Sequence, residues 1–141
     1  MAAGYSGTPL AKKLAIAPGH TVLLVEAPDG VEDWLAPLPQ GAGVVRTDWA
    51  GVATASADVV IAFSSSRTAL RDAWPACTTA AGPTGAVWVA WPKRASKVPT
   101  DITEDTLRTD LLPSGWVDVK VCAVSDVWSG LRFVLRKELR P

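Results

Sequence analysis

Three runs, HTVLLV at 20–25, DVVIAF at 58–63 and AVWVAW at 86–91, are apolar almost without interruption. A strand with one wet face alternates apolar and polar residues, so runs this uniform demand cover on both faces. None approaches the ~20 residues that a membrane-spanning helix needs. Strands covered on both faces belong to the middle of a parallel sheet, and parallel neighbours must be joined by crossovers, usually helical. The segments between the runs have to supply those helices.

They do. Thr8-Pro9 reads as an N-cap followed by the first helical residue, with Leu10, Leu14 and Ile16 as an apolar stripe, Lys12 and Lys13 turned outward, and Pro18-Gly19 as the stop. Residues 31–38 suit a short helix before Pro39, and residues 43–46 a second, short strand. Residues 47–57 are small and loop-like, with Trp49 their only large member. Ser64-Ser65-Ser66 offers N-caps for a helix that carries Leu70, Ala73 and Trp74 and stops near Ala81-Gly82, with a break or kink expected at Pro75. Asp101-Ile102-Thr103-Glu104 has the spacing of a capping box, and Leu107, Leu111 and Leu112 give the helix behind it an apolar side. Residues 117–124 and 131–135 alternate with polar residues and read as an antiparallel hairpin connected through Trp128-Ser129-Gly130. The order predicts an α/β fold: a single Rossmann-like three-layer domain, with a mostly parallel sheet of about six strands ending in an antiparallel hairpin. Residues 1–7 are expected to form a flexible N-terminus and 8–141 one domain.

Composition narrows the function. The 14 Lys and Arg balance the 14 Asp and Glu, so the basic excess of a nucleic-acid binder is missing. The start of the chain has no apolar signal-peptide core, and a cytoplasmic location with no membrane partner is expected. Cys77 and Cys122 form no C-x-x-C pair and, with the single His20, make no zinc site, so two buried thiols in a reducing compartment are expected and no metal. Seven Trp are expected in the core or at an interface.

The elements in this order resemble a shortened class I S-adenosylmethionine-dependent methyltransferase. TVLLVEAPDG at 21–30 falls at the motif-bearing first strand, ADVVIAFSSSR at 57–67 at the strand running into the central helix, GPTGAVWVAWP at 82–92 at the segment that follows, and VDVKVCAVSDVWSGLRFVLRK at 117–137 at the final hairpin. YSGTPLAKKL, VWVAWPK, PTDITED and VKVCAVSDVWSGLRF also resemble a family of short bacterial proteins catalogued as a domain of unknown function, which implies a fold and no mechanism. The methyltransferase resemblance implies S-adenosylmethionine as cofactor, and three departures speak against it. The first turn has one glycine, Gly30, and contains Pro28, which has no N–H to offer. Arg46 stands where the pattern places an acidic residue after the second strand, with Asp48 two residues later. The strand-helix pair that ordinarily follows has no room in residues 47–57.

Ligands of open α/β sheets bind beyond the carboxyl ends of the strands, where strand order reverses. That rule gathers Glu26, Asp29 and Gly30 with Ser64, Ser65, Ser66 and Arg67, and with Trp91, Lys93 and Arg94. A helix start bearing three hydroxyls and an Arg would suit an anion, and residues 92–97 add Lys93, Arg94 and Lys97. His20 precedes its strand and falls at the opposite end. Lys120, inside a strand, is expected to share a face with Asp118 and Cys122 and to pair with Asp118. Trp128 is expected under the sheet edge or in a dimer contact. The reading is a small, non-catalytic, methyltransferase-like domain that binds a small anionic ligand or a protein partner at this edge and self-associates as a homodimer. The alternatives are a minimal methyltransferase completed by a partner, and a structural interaction module.

Overall fold

The structure is a computed structural model and describes residues 8–141; the expectation for residues 1–7 lies outside them. The elements are α1 (Leu10–Lys13), β1 (Thr21–Val25), α2 (Val31–Leu35), β2 (Gly43–Thr47), β3 (Val59–Phe63), α3 (Arg67–Ala81), β4 (Ala86–Pro92), α4 (Glu104–Leu111), β5 (Trp116–Ala123) and β6 (Trp128–Leu135). They build one six-stranded sheet in the order β2-β1-β3-β4-β6-β5. The first four strands run parallel, and β6 returns antiparallel beside β4 with β5 outside it. This is the expected three-layer α/β architecture. Every residue of β3 and β4 is buried, as unbroken apolar strands at the centre of a sheet require.

The two faces are covered unequally. On one, α3 and α4 enclose Leu23, Val25, Val60, Val87, Val89, Trp116 and Phe133. There Trp74 meets Trp116 and Phe133 edge-on, at centroid distances of 6.3 and 5.3 Å. On the other face, among the described residues, the short α1 and α2 are the only helices that cover Val22, Leu24, Val59, Ile61 and Trp88. The Trp88 ring is fully buried, and its indole N–H donates to the Leu14 carbonyl at 3.0 Å, tying the segment after α1 to the sheet. Two positions along the ladder, where β6 places Gly130 opposite Ala90, a Cβ on the glycine would lie 3.2 Å from the Trp88 ring.

Several local expectations need correction. Pro9 occupies the cap of α1 rather than its first turn, and the helix stops at Lys13 because Ala15 adopts a left-handed φ of 60°. Helix α2 stops at Leu35, not at 38: Ala36 is extended because a residue before proline is pushed out of the helical region. Pro75 does not break α3, which runs unbroken over 15 residues; Pro75 sits on the exposed side, where water can serve the Arg71 carbonyl left without a donor. The box that caps α4 is Thr103 with Thr106, each side chain accepting from the other's backbone N–H at 3.1 and 2.8 Å. Trp128, Ser129 and Gly130 lie inside β6, and the hairpin turns earlier, where the Ser125 hydroxyl accepts from the N–H groups of Val127 and Trp128.

The pairing expected for Lys120 fails for a topological reason. Between Asp118, opposite Phe133, and Lys120, opposite Arg132, strand β5 carries an extra residue, Val119. A bulge resets the alternation of faces. Asp118 therefore points to the α4 side and accepts from Arg108 Nε at 3.1 Å, while the Lys120 ammonium crosses to the α1 side and donates to the Lys13 carbonyl at 3.1 Å. Cys122 does share the face of Lys120. Of the thiols, Cys77 is fully buried and desolvation pushes it up to about 12, whereas Cys122 is half-buried and raised for the same reason. Four of the seven Trp are buried, Trp74, Trp88, Trp91 and Trp116, and the other three are half-buried.

Candidate functional site

At the carboxyl end of β1 the backbone turns sharply: Glu26 takes a φ of 55° and Gly30 one of 92°, the latter opening α2 in a conformation that glycine adopts without strain. The loop between them is clasped from β2. Arg46 donates from Nη1 to the Ala27 carbonyl at 2.9 Å and from Nη2 to the Pro28 carbonyl at 2.9 Å. Its Nε and Nη2 close a fork on Glu32 at 2.5 and 2.7 Å. That fork holds the Glu32 carboxyl at about 2, well below the usual carboxylate range. The Glu26 carboxylate accepts from the Trp49 backbone N–H at 2.8 Å, so it too is used within the chain. Asp29 is exposed and shows no hydrogen bond or ion pair among the described residues.

At the end of β3, Ser64 is buried, and its hydroxyl accepts from the Ser66 N–H and donates to the Ser66 carbonyl. Ser66 caps α3 by accepting from the Ala69 N–H at 3.2 Å. The Ser65 carbonyl accepts from the Thr100 hydroxyl at 2.8 Å. The first free N–H of the helix, that of Arg67, donates to the Asp101 carboxylate at 2.8 Å, so an acid from the chain itself occupies the place where an outside anion was expected. The Arg67 guanidinium reaches across to α4 and holds Asp110 through two hydrogen bonds of 2.9 and 2.8 Å. This contact lowers the Asp110 carboxyl below its usual value.

The third group lies beyond β4. Trp91 and Pro92 are buried and form the floor of a cavity of about 560 Å³ that also touches Arg94, Lys97, Ile102, Glu104 and Asp105. Lys93 stands beside it, fixed through its backbone N–H to the Val127 carbonyl at 2.7 Å. Among the described residues, the side chains of Lys93, Arg94 and Lys97 take neither an ion pair nor a hydrogen bond. The carboxylates of Glu104 and Asp105 lie 3.0 and 3.7 Å from Arg108.

The ten residues singled out in the sequence thus share one edge of the sheet, in two states. Glu26, Ser64, Ser66 and Arg67 are spent on side-chain contacts within the chain and Ser65 gives its carbonyl to Thr100, whereas among the described residues the side chains of Asp29, Lys93 and Arg94 take no ion pair or hydrogen bond. His20 lies at the other end, where its Nδ1 accepts from the Ala17 N–H at 3.0 Å. Sequence reasoning missed the clasp made by Arg46 and the partners Asp101 and Asp110. Trp128, at the same edge, stacks edge-on against Phe63 at 5.1 Å.

No family profile matches the sequence, and no curated protein matches it either. Solved structures do match the fold. DhpI in its SAH complex aligns with a TM-score of 0.62 and 14% identity, over 92% of this chain and 83% of its own. A SAM-dependent methyltransferase from Aquifex aeolicus aligns with a TM-score of 0.58 and 14% identity, over 88% and 86%. The N-methyltransferase NodS from Bradyrhizobium japonicum aligns with a TM-score of 0.56 and 14% identity, over 83% and 86%. Identities this low speak for fold alone, and the strand order, the antiparallel β6 and these alignments agree. By fold, the chain is a Rossmann-like three-layer α/β domain of the kind these methyltransferases share.

Proposed function

We propose that this domain binds a small anionic ligand at the loop after β4 and transfers no methyl group. The observation that carries the reading is the row of cations, Lys93, Arg94 and Lys97, whose side chains have no partner among the described residues, beside a cavity floored by Trp91. Apolar floors with a few convergent charges are the usual make-up of small-molecule sites. The clasp on the first loop supports the second half of the reading. The Ala27 and Pro28 carbonyls face Arg46, and Pro28 has no N–H, so the first turn does not fit an adenosyl group that needs backbone donors. A screen of small anions by thermal shift tests the site. At least one anion should stabilise the natural protein and lose that effect when Lys93, Arg94 and Lys97 are changed together to Ala. If every stabilising anion acts equally on the triple variant, the site is wrong.

A second reading, a minimal methyltransferase, is favoured by the fold match to DhpI, solved with SAH. Calorimetry with S-adenosylmethionine separates the two. Micromolar binding that is lost on Asp29→Ala overturns the non-catalytic reading.

A further inference from the structure

At the opposite end of the sheet, on the α1 side, a second cavity of about 420 Å³ lies between the loop before β4 and strand β6. Two arginines, Arg132 and Arg140, line it together with Thr84 and Val134, and no carboxylate does. The Nε of Arg132 is buried and has no hydrogen-bond partner among the described residues. Arg132 also faces a like charge, Lys120, directly across the β5–β6 ladder. Like charges paired in this way destabilise a sheet, and neither has a carboxylate within ion-pair distance among the described residues. Arg140 is anchored by its Nε to the Leu135 carbonyl at 2.9 Å, which holds its guanidinium at the cavity.

A buried guanidinium N–H without an acceptor is costly, and such a group in a native fold calls for a partner. Arginine forks match phosphate and carboxylate oxygens, and two forks with no acid between them favour a doubly charged oxyanion. The volume leaves room for more than a bare ion. We infer that this cavity is an anion site for a phosphate monoester, with Arg132 as its buried donor and Arg140 as its second fork. The site is separate from the loop after β4 and does not rest on the function proposed there.

The test reads the Arg132 Nε–Hε resonance in ¹⁵N spectra, assigned by its loss in Arg132→Lys. Titration with inorganic phosphate and with glycerol phosphate should shift it, and glycerol phosphate should bind more tightly if the cavity takes an ester. If phosphate binds more tightly, free phosphate is the ligand and the monoester assignment is overturned. Followed through the Arg140 Nε–Hε resonance, which the variants keep, Arg132→Gln should weaken phosphate binding about tenfold or more, and Arg132→Lys should do so less. The triple change of Lys93, Arg94 and Lys97 to Ala should leave this binding unchanged. No shift at millimolar concentrations of either ligand overturns the inference. So does equal binding by Arg132→Gln, or loss of binding in the triple variant alone, which would move the anion to the β4 loop.

Discussion

Arg46 shows how one side chain decides what a loop can offer. Its four hydrogen bonds turn two carbonyls and a carboxylate inward at the point where the fold ordinarily opens to a ligand. The consequence can be measured through Glu32. Its carboxyl is held at about 2 in the folded chain, below the 4.5 of an unperturbed glutamate, so the stabilisation is complete above pH 4.5 and fades as pH falls towards 2. In carboxyl ¹³C titrations Glu32 should titrate near the low value, rise with added salt because the pair is exposed, and move up in Arg46→Ala, where its own backbone hydrogen bond alone still lowers it. An unshifted Glu32 in the natural protein would mean that the clasp does not persist in solution. None of this was legible in the residues around 46. Arg46 meets Glu32, Ala27 and Pro28 only because β2 lies parallel to β1, and the residues lie 14 to 19 positions apart in the chain. The same holds for Arg67, whose partners Asp101 and Asp110 stand 34 and 43 positions away. From sequence, a cation beside three serines looks like an invitation to an anion. In the fold that anion is Asp101.

At the scale of elements, β5 separates what a pattern can and cannot carry. The buried strands were readable because continuous apolar runs admit one explanation, and the final hairpin because alternation does. The bulge was not readable, since a single extra residue leaves apolar and polar positions still alternating locally while it exchanges their faces. Here Val119 is that residue, and it is half exposed. Its removal restores an uninterrupted ladder, with Asp118 still facing α4 and Lys120 still facing α1. Deletion of Val119 should therefore leave far-UV circular dichroism unchanged and shift the melting temperature by only a few degrees, whereas deletion of Val117 should exchange the faces of the start of the strand and unfold it. A Val119 deletion as damaging as that of Val117 would refute the register argument. The cap of α4 was misplaced for a related reason: Thr103 and Thr106 are as competent as the acid pair that the spacing favoured, and only the point where α4 begins chooses between them.

For the whole molecule, the unequal cover of the sheet sets where stability resides. One face rests on the 15 residues of α3 and the 8 of α4, the other on helices of 4 and 5 residues. Helices that short have no stability of their own and depend on what ties them down. For α1 the tie is Trp88, through its buried ring and its bond to the Leu14 carbonyl. Trp88→Leu removes both volume and donor, and should lower stability by about 3 kcal/mol, read in urea as a lower midpoint at constant slope. The exchange of backbone amides in α1 should quicken more than that in α3. Equal quickening in both would mean that the two faces open as one unit.

The sheet ends at β2, whose outer edge has no neighbour among the described residues and whose Val45 is 53% exposed. Strand β1 keeps partners on both sides, and β3 follows β2 after one loop. That loop is therefore a splice point: a strand and helix can be gained or lost there without breaking any pairing in the sheet that remains. Whatever is inserted or removed at that loop, the pairing of β1, β3, β4, β6 and β5 is left as it stands.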